Sequence, residues 1–177
     1  VRSSAASDVY KRQYRSSMEL TLFTHTAMNS TYGESFIVYN PDFQTLKIHS
    51  SYTRQKDGTI VKTPDNAFVE VLPRFAADAP AYNQLKEMVV VHTGLELGAT
   101  IYLDYSIITK PGYYPALDIN ERLQETSPVK ECKVSISVPE GTPLACGLYG
   151  SPVKAVEESH DGIKEVHWTL RLSLIHI

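Results

Sequence analysis

Apolar and polar residues alternate with a period of two along most of this chain. Successive side chains of a strand point to opposite faces, so the pattern describes strands with one buried face, whereas a helix would need a period near 3.6. Ile101, Leu103, Tyr105 and Ile107 form the cleanest series. Cys132, Val134, Ile136 and Val138 alternate with Lys133, Ser135 and Ser137, and Val166, Trp168 and Leu170 share one face of Ile163–Leu170. Leu20, Leu22, Thr24, Thr26 and Met28 form another series, as do Leu46, Ile48, Ser50 and Tyr52. Shorter apolar runs lie at Phe36–Tyr39, Ile60–Val61, Met88–His92, Leu144–Tyr149 and Val153–Glu157.

Turn formers separate these runs. Asn40-Pro41-Asp42, Lys110-Pro111-Gly112 and Pro139-Glu140-Gly141 close strands, while Asp57-Gly58 and Asp161-Gly162 read as two-residue hairpin turns whose central positions take positive φ. Two stretches break the alternation. Pro73 and Pro80 lead into Ala81–Glu87, which reads as a short helix, and 113–128 is irregular with one helical turn over Asp118–Gln124. With 11 Tyr and 5 Phe favouring strands, the expectation is an all-β chain. Its architecture is a β-sandwich of about ten short antiparallel strands with one or two short helical turns. The Cys…Trp…Cys spacing of immunoglobulin domains is not there, so only the architecture is expected.

The two ends read as translated sequencing adapter. Asp8–Gln13 back-translates as GAT GTG TAT AAG AGA CAG, whose reverse complement encodes Leu-Ser-Leu-Ile-His-Ile, the tail at 172–177. Ser3–Ser7 fits the bases upstream in the same frame. The expected division is therefore 1–13 and 172–177 as non-native ends and 14–171 as a domain from a longer protein. Setting those ends aside removes Arg2, Lys11, Arg12 and Asp8. Lys+Arg falls from 17 to 14, Asp+Glu from 20 to 19, and the net charge moves from −3 to −5. An acidic domain with interspersed charges argues against nucleic acid as a partner. Nothing in 14–171 approaches the length of a membrane helix.

Residue types for several chemistries occur, but their placement is poor. Cys146, His160 or His167, and Asp161 include the members of a cysteine triad, which needs a thiol beside an imidazole that a third group orients. His160 and Asp161 are instead neighbours at a hairpin tip, and His167 alternates with Trp168 and so faces away from the core. Cys132 and Cys146 lack metal-type spacing and read as small buried residues, or as one bridge in an exported protein. His25, His49 and His92 fall singly on separate strands, so no metal is expected. Gly94 and Gly98 make no phosphate loop, and no cofactor is expected. Asn29-Ser30-Thr31 fits a glycosylation sequon and reads as a turn. The aromatic residues Tyr82, Tyr113 and Tyr114 follow prolines or glycine in loops, where flat rings can stack on a sugar or anchor a protein.

A family resemblance runs through the middle of the chain. Tyr39-Asn40-Pro41-Asp42-Phe43-Gln44-Thr45-Leu46-Lys47-Ile48 resembles the opening of a bacterial domain of unknown function that stands immediately before transglutaminase-like domains. The likeness continues through Tyr52…Lys56-Asp57-Gly58-Thr59, Pro80–Gln84, Met88–Val91, Leu97–Ile101 and Asp104-Tyr105-Ser106, covering most of 19–170. It implies a β-sandwich module of exported, periplasmic or cell-envelope proteins. Its partner would be a downstream catalytic domain of the same chain, with a Cys-His-Asp triad and peptidase-type amide chemistry. None of that motif matches here, since Cys146-Gly147 and Cys132-Lys133 lack the Cys-Trp setting such nucleophiles favour. The expectation is a non-catalytic accessory domain that scaffolds or positions the downstream one. The alternative is a stand-alone glycan- or protein-binding module using Tyr82, Tyr113 and Tyr114.

Overall fold

The computed structural model describes residues 12–79, 81, 84–114, 118–123 and 127–171. Its strands are β1 (Arg12–Thr21), β2 (Glu34–Tyr39), β3 (Gln44–Arg54), β4 (Ile60–Lys62), β5 (Phe68–Val71), β6 (Lys86–Val91), β7 (Thr100–Thr109), β8 (Cys132–Pro139), β9 (Val156–His160) and β10 (Ile163–Leu170). All described pairings are antiparallel. The all-β expectation holds, and the strand number agrees with it. The chain divides into two compact units, Val1–Pro115 and Ala116–Ile177.

The first unit is the sandwich. One sheet runs β1-β7-β3-β4 and the other β2-β6-β5. Alternation turns Ile37 and Val90 of the smaller sheet toward Leu103 of the larger, and Met18, Leu46, Ile48, Phe68, Met88, Tyr105 and Ile107 pack around them. Each side chain of this size buried in full contributes about 1.5–3 kcal/mol. β7 lies between β1 and β3, and the buried Ile101 and Leu103 of its inner face are those that the alternation marked.

The second unit has its own sheet, β8-β10-β9. Val166, Trp168 and Leu170 form its buried centre, with Cys132, Val134 and Ile136 packed against them. The Asp161-Gly162 turn is the two-residue hairpin expected. His160 pairs with Ile163, and φ is 52° at Asp161 and 74° at Gly162.

Other expectations are corrected. β1 ends at Thr21, and the Leu20–Met28 series breaks into a helical turn, Ala27–Thr31, where Thr24 Oγ1 accepts from Ala27 N at 3.1 Å. Ser and Thr side chains compete for backbone groups in this way, which interrupts a strand. The short helix expected over Ala81–Glu87 gives way at its end to β6, which begins at Lys86 and pairs with β2, while Tyr82 and Asn83 lie outside the described residues. The short helical turns in that region are Asp65–Ala67 and Arg74–Ala76. Asp118–Leu123 has no helical turn, and Gln124 lies outside the described residues. Leu144–Tyr149 is not a strand, and the last edge strand is Val156–His160 rather than Val153–Glu157.

Asp57-Gly58 sits in a wider loop than expected. Gly58 N donates to Gln55 O at 2.9 Å and Gln55 N to Thr59 O at 2.8 Å, with positive φ (91°) at Gly58 alone. This is a turn followed by a left-handed glycine, which a longer hairpin loop uses. β3 also bulges: Ile48 pairs with Tyr105 and Ser50 with Asp104, leaving His49 as the extra residue. A bulge reverses the facing of the residues after it. Thr53 therefore turns inward, and Tyr52 turns outward to stack on Tyr102 at 4.6 Å.

Candidate functional site

Aromatic side chains gather where the loop before β3 meets the end of β7. Asn40-Pro41-Asp42 makes a tight turn, with Gln44 N donating to Asn40 O at 2.7 Å and Asp42 N to Asn40 Oδ1 at 3.0 Å. That turn delivers Phe43 beside the loop after β7, where Lys110 N donates to Phe43 O at 2.8 Å and Lys110 Nζ to Asp42 O at 2.5 Å. Gly112, at φ 78°, then reverses the chain. Tyr113 stacks on Phe43 with ring centroids 3.5 Å apart and planes 10° apart. Tyr114 stands edge-on to both, at 5.0 Å from Tyr113 and 6.0 Å from Phe43. Tyr113 is 50% exposed and Tyr114 43%, so the cluster presents ring surface to solvent. Arg12 lies over Tyr114 at 5.2 Å and donates to its carbonyl at 3.4 Å. Arg12 belongs to the stretch read as adapter, so the site rests on Phe43, Tyr113 and Tyr114. Tyr82, the third expected member, lies outside the described residues.

Phe43 is the member that sequence reasoning missed. A signal was available: inward residues of β3 before the bulge are even-numbered, so Phe43 falls on the odd, outward side. A large outward aromatic beside a turn marks a surface site.

The triad candidates are not assembled. Cys146 is exposed in a segment without strand structure, which corrects the expectation that it is buried, while Cys132 is half-buried on β8. His160 and Asp161 are exposed at the β9–β10 turn, and His167 lies 3.8 Å from Glu165, its neighbour two residues back. Among the described residues no hydrogen bond or ion pair joins Cys146 to His160, Asp161 or His167. The three histidines that could have held a metal are also separate. His25 is exposed after β1, and His49 at the bulge meets Ser106 Oγ at 2.8 Å. His92, at the end of β6, is 5% exposed.

His92 does bring one reactive pairing into view, since its Nε2 lies 2.8 Å from Ser35 Oγ on β2. Its Nδ1 is buried without a partner, so nothing orients the ring as a general base requires. A ring so enclosed is out of reach of a substrate carbonyl. The pair is structural, and burial holds the imidazole below its ordinary pKa.

Charged groups elsewhere form surface and rim pairs. Arg15 on β1 grips Asp104 on β7 through Nε at 3.0 Å and Nη2 at 2.7 Å, and this hydrogen bonding holds the Asp104 carboxyl below the usual range. Tyr39 donates to Glu70, which also pairs with Lys86. Burial first, and then the bond to Glu70 and its charge, push the Tyr39 hydroxyl up to about 12. A hollow of about 460 Å³ is lined by Gln55, Lys56, Asp57 and Glu96.

No curated protein matches the chain. A solved structure from Parabacteroides distasonis ATCC 8503, described as a candidate protease, is 98% identical and superposes with a TM-score of 0.89, over 92% of this chain and 32% of that one. The chain thus spans about a third of the length of the protein it matches. A family profile for a domain of unknown function with a solved structure, DUF3857, matches residues 9–174. On that match, which takes in nearly the whole sequence, the chain belongs to the DUF3857 family.

Proposed function

We propose that this is a non-catalytic accessory domain which scaffolds or positions a cysteine-dependent, transglutaminase-like or peptidase-like domain of the same polypeptide, in an exported or cell-envelope protein. The observation that carries the reading is that the chain corresponds to 32% of a longer chain described as a candidate protease. The exposed position of Cys146, unconnected to His160 or His167 among the described residues, supports it. The test uses the full-length protein with Cys146→Ala and His160→Ala. Hydrolysis of a protein substrate is expected to stay within about twofold of the parent. Loss of turnover in a variant that keeps its fold would overturn the reading.

The half-exposed cluster of Phe43, Tyr113 and Tyr114 favours a second reading, a glycan- or protein-binding module that works without a catalytic partner. Stacking of a sugar on such rings contributes of the order of 1 kcal/mol per ring. A glycan array with Tyr113→Ala and Tyr114→Ala controls decides it. Binding that both substitutions remove supports the module, and silence on every polysaccharide counts against it.

A further inference from the structure

The three sheets treat their outer faces differently. An antiparallel sheet with one face on a core ordinarily turns polar side chains to water on the other. The β1-β7-β3-β4 sheet carries polar residues on that face, with Arg15, Ser17 and Glu19 opposite Ser106, Asp104 and Tyr102. The β8-β10-β9 sheet does so too, with Lys133, Ser135 and Ser137 opposite Thr169, His167 and Glu165. The β2-β6-β5 sheet does so only at Glu34 and Glu87. Ile37 and Val90 point into its core, so alternation sends Phe36, Val38, Val69, Val71 and Val89 outward. Phe36 pairs across to Val89 and Val89 to Val69, giving an apolar row over all three strands. The next row is Val38–Glu87–Val71. Phe36 is 58% exposed and Val69 44%, and Leu72, just past β5, is exposed as well.

Single exposed apolar residues are ordinary, but a contiguous sheet face of them marks a surface that another body covers. We infer that this face is the docking surface for the rest of the longer polypeptide, a folded domain presenting apolar side chains and one Lys or Arg against Glu87. The match to 32% of the Parabacteroides distasonis chain leaves about two thirds of that protein outside, which is ample to cover it. Domain interfaces within a chain bury roughly 600–1,500 Å², and Glu87 amid four valines would be stranded without a cation. The inference rests on the accessory reading and names the face through which it acts.

The test is thiol labelling of the full-length protein, resolved peptide by peptide with mass spectrometry. Val69→Cys and, separately, Val38→Cys report on the apolar face, and Thr45→Cys on the polar face of the larger sheet serves as the reference. With the rest of the polypeptide docked, the thiols introduced at positions 69 and 38 label at least tenfold more slowly than the one at position 45. Equal rates at both faces overturn the inference. So does protection that disappears on dilution together with a dimer seen by light scattering, because the occupant is then a second copy. Labelling needs no enzymatic activity, so docking can fail while the accessory reading stands, and a catalytic role for Cys146 can emerge while docking stands.

Discussion

Acid should weaken the first unit through His92 before it affects any carboxylate. The imidazole is buried, hydrogen-bonded through Nε2 to Ser35 and unpartnered at Nδ1, and burial lowers its pKa from the usual 6.5. The fold thus holds the ring neutral, while the unfolded chain takes up a proton once the pH drops to about 6.5. Where the unfolded state binds more protons, stability falls with pH. The contribution is therefore complete above 6.5, declines by up to about 1.4 kcal/mol per pH unit below it, and levels off under the folded pKa. Glu70 and Asp104, whose pKa values are lowered from 4.5 and 3.8, withdraw their support only in a more acidic window. Urea unfolding between pH 8 and 5.5 separates the two effects. Near-ultraviolet dichroism of tyrosine follows the first unit, and Trp168, the sole tryptophan, reports on the second. Ser35→Ala with His92→Leu removes donor and acceptor together and should flatten the dependence at little cost near neutrality. Ser35→Ala alone should cost about 1–3 kcal/mol, because it strands the ring nitrogen. A first-unit transition that does not move between pH 7.5 and 5.5, or a double variant that keeps the slope, refutes the reasoning.

Two further substitutions probe the packing. Trp168→Ala opens the core of the second unit and should cost about 3–5 kcal/mol, read as loss of slow amide exchange along β8 and β10. Gly94 has φ 72°, and a Cβ there would meet Val61 Cγ2 at 2.8 Å. Gly94→Ala should therefore lower stability by about 1–3 kcal/mol in thermal unfolding, with partial recovery when Val61→Ala is added.

Most of the strand framework was legible because it depends only on alternation and on turns with a positive-φ requirement. The inner face of β7, the alternating faces of β8 and β10 and the Asp161-Gly162 turn are all of this kind. The errors arise where local pattern meets a longer-range choice. Leu20–Met28 alternates as a strand does, yet Thr24 bonds to the backbone and the chain curls. Ala81–Glu87 has helix-forming residues, but Lys86 and Glu87 pair with Tyr39 and Val38 instead. The bulge at His49 left no mark in the residue pattern, and it decides that Thr53 rather than Tyr52 is buried. Asp57-Gly58 carries the hairpin dipeptide, yet the pairing of Arg54 with Ile60 fixes a wider loop. At the candidate site Tyr113 and Tyr114 were visible as loop aromatics, while Phe43 reaches them only through the turn at Asn40.

The central claim is that this domain supports chemistry performed elsewhere in the polypeptide. Alkylation of the full-length protein with a thiol reagent that competes with substrate, followed by peptide mapping, tests it directly. The account predicts that the modified cysteine whose loss tracks inactivation lies outside residues 1–177. Inactivation that tracks modification of Cys146 or Cys132 would contradict it.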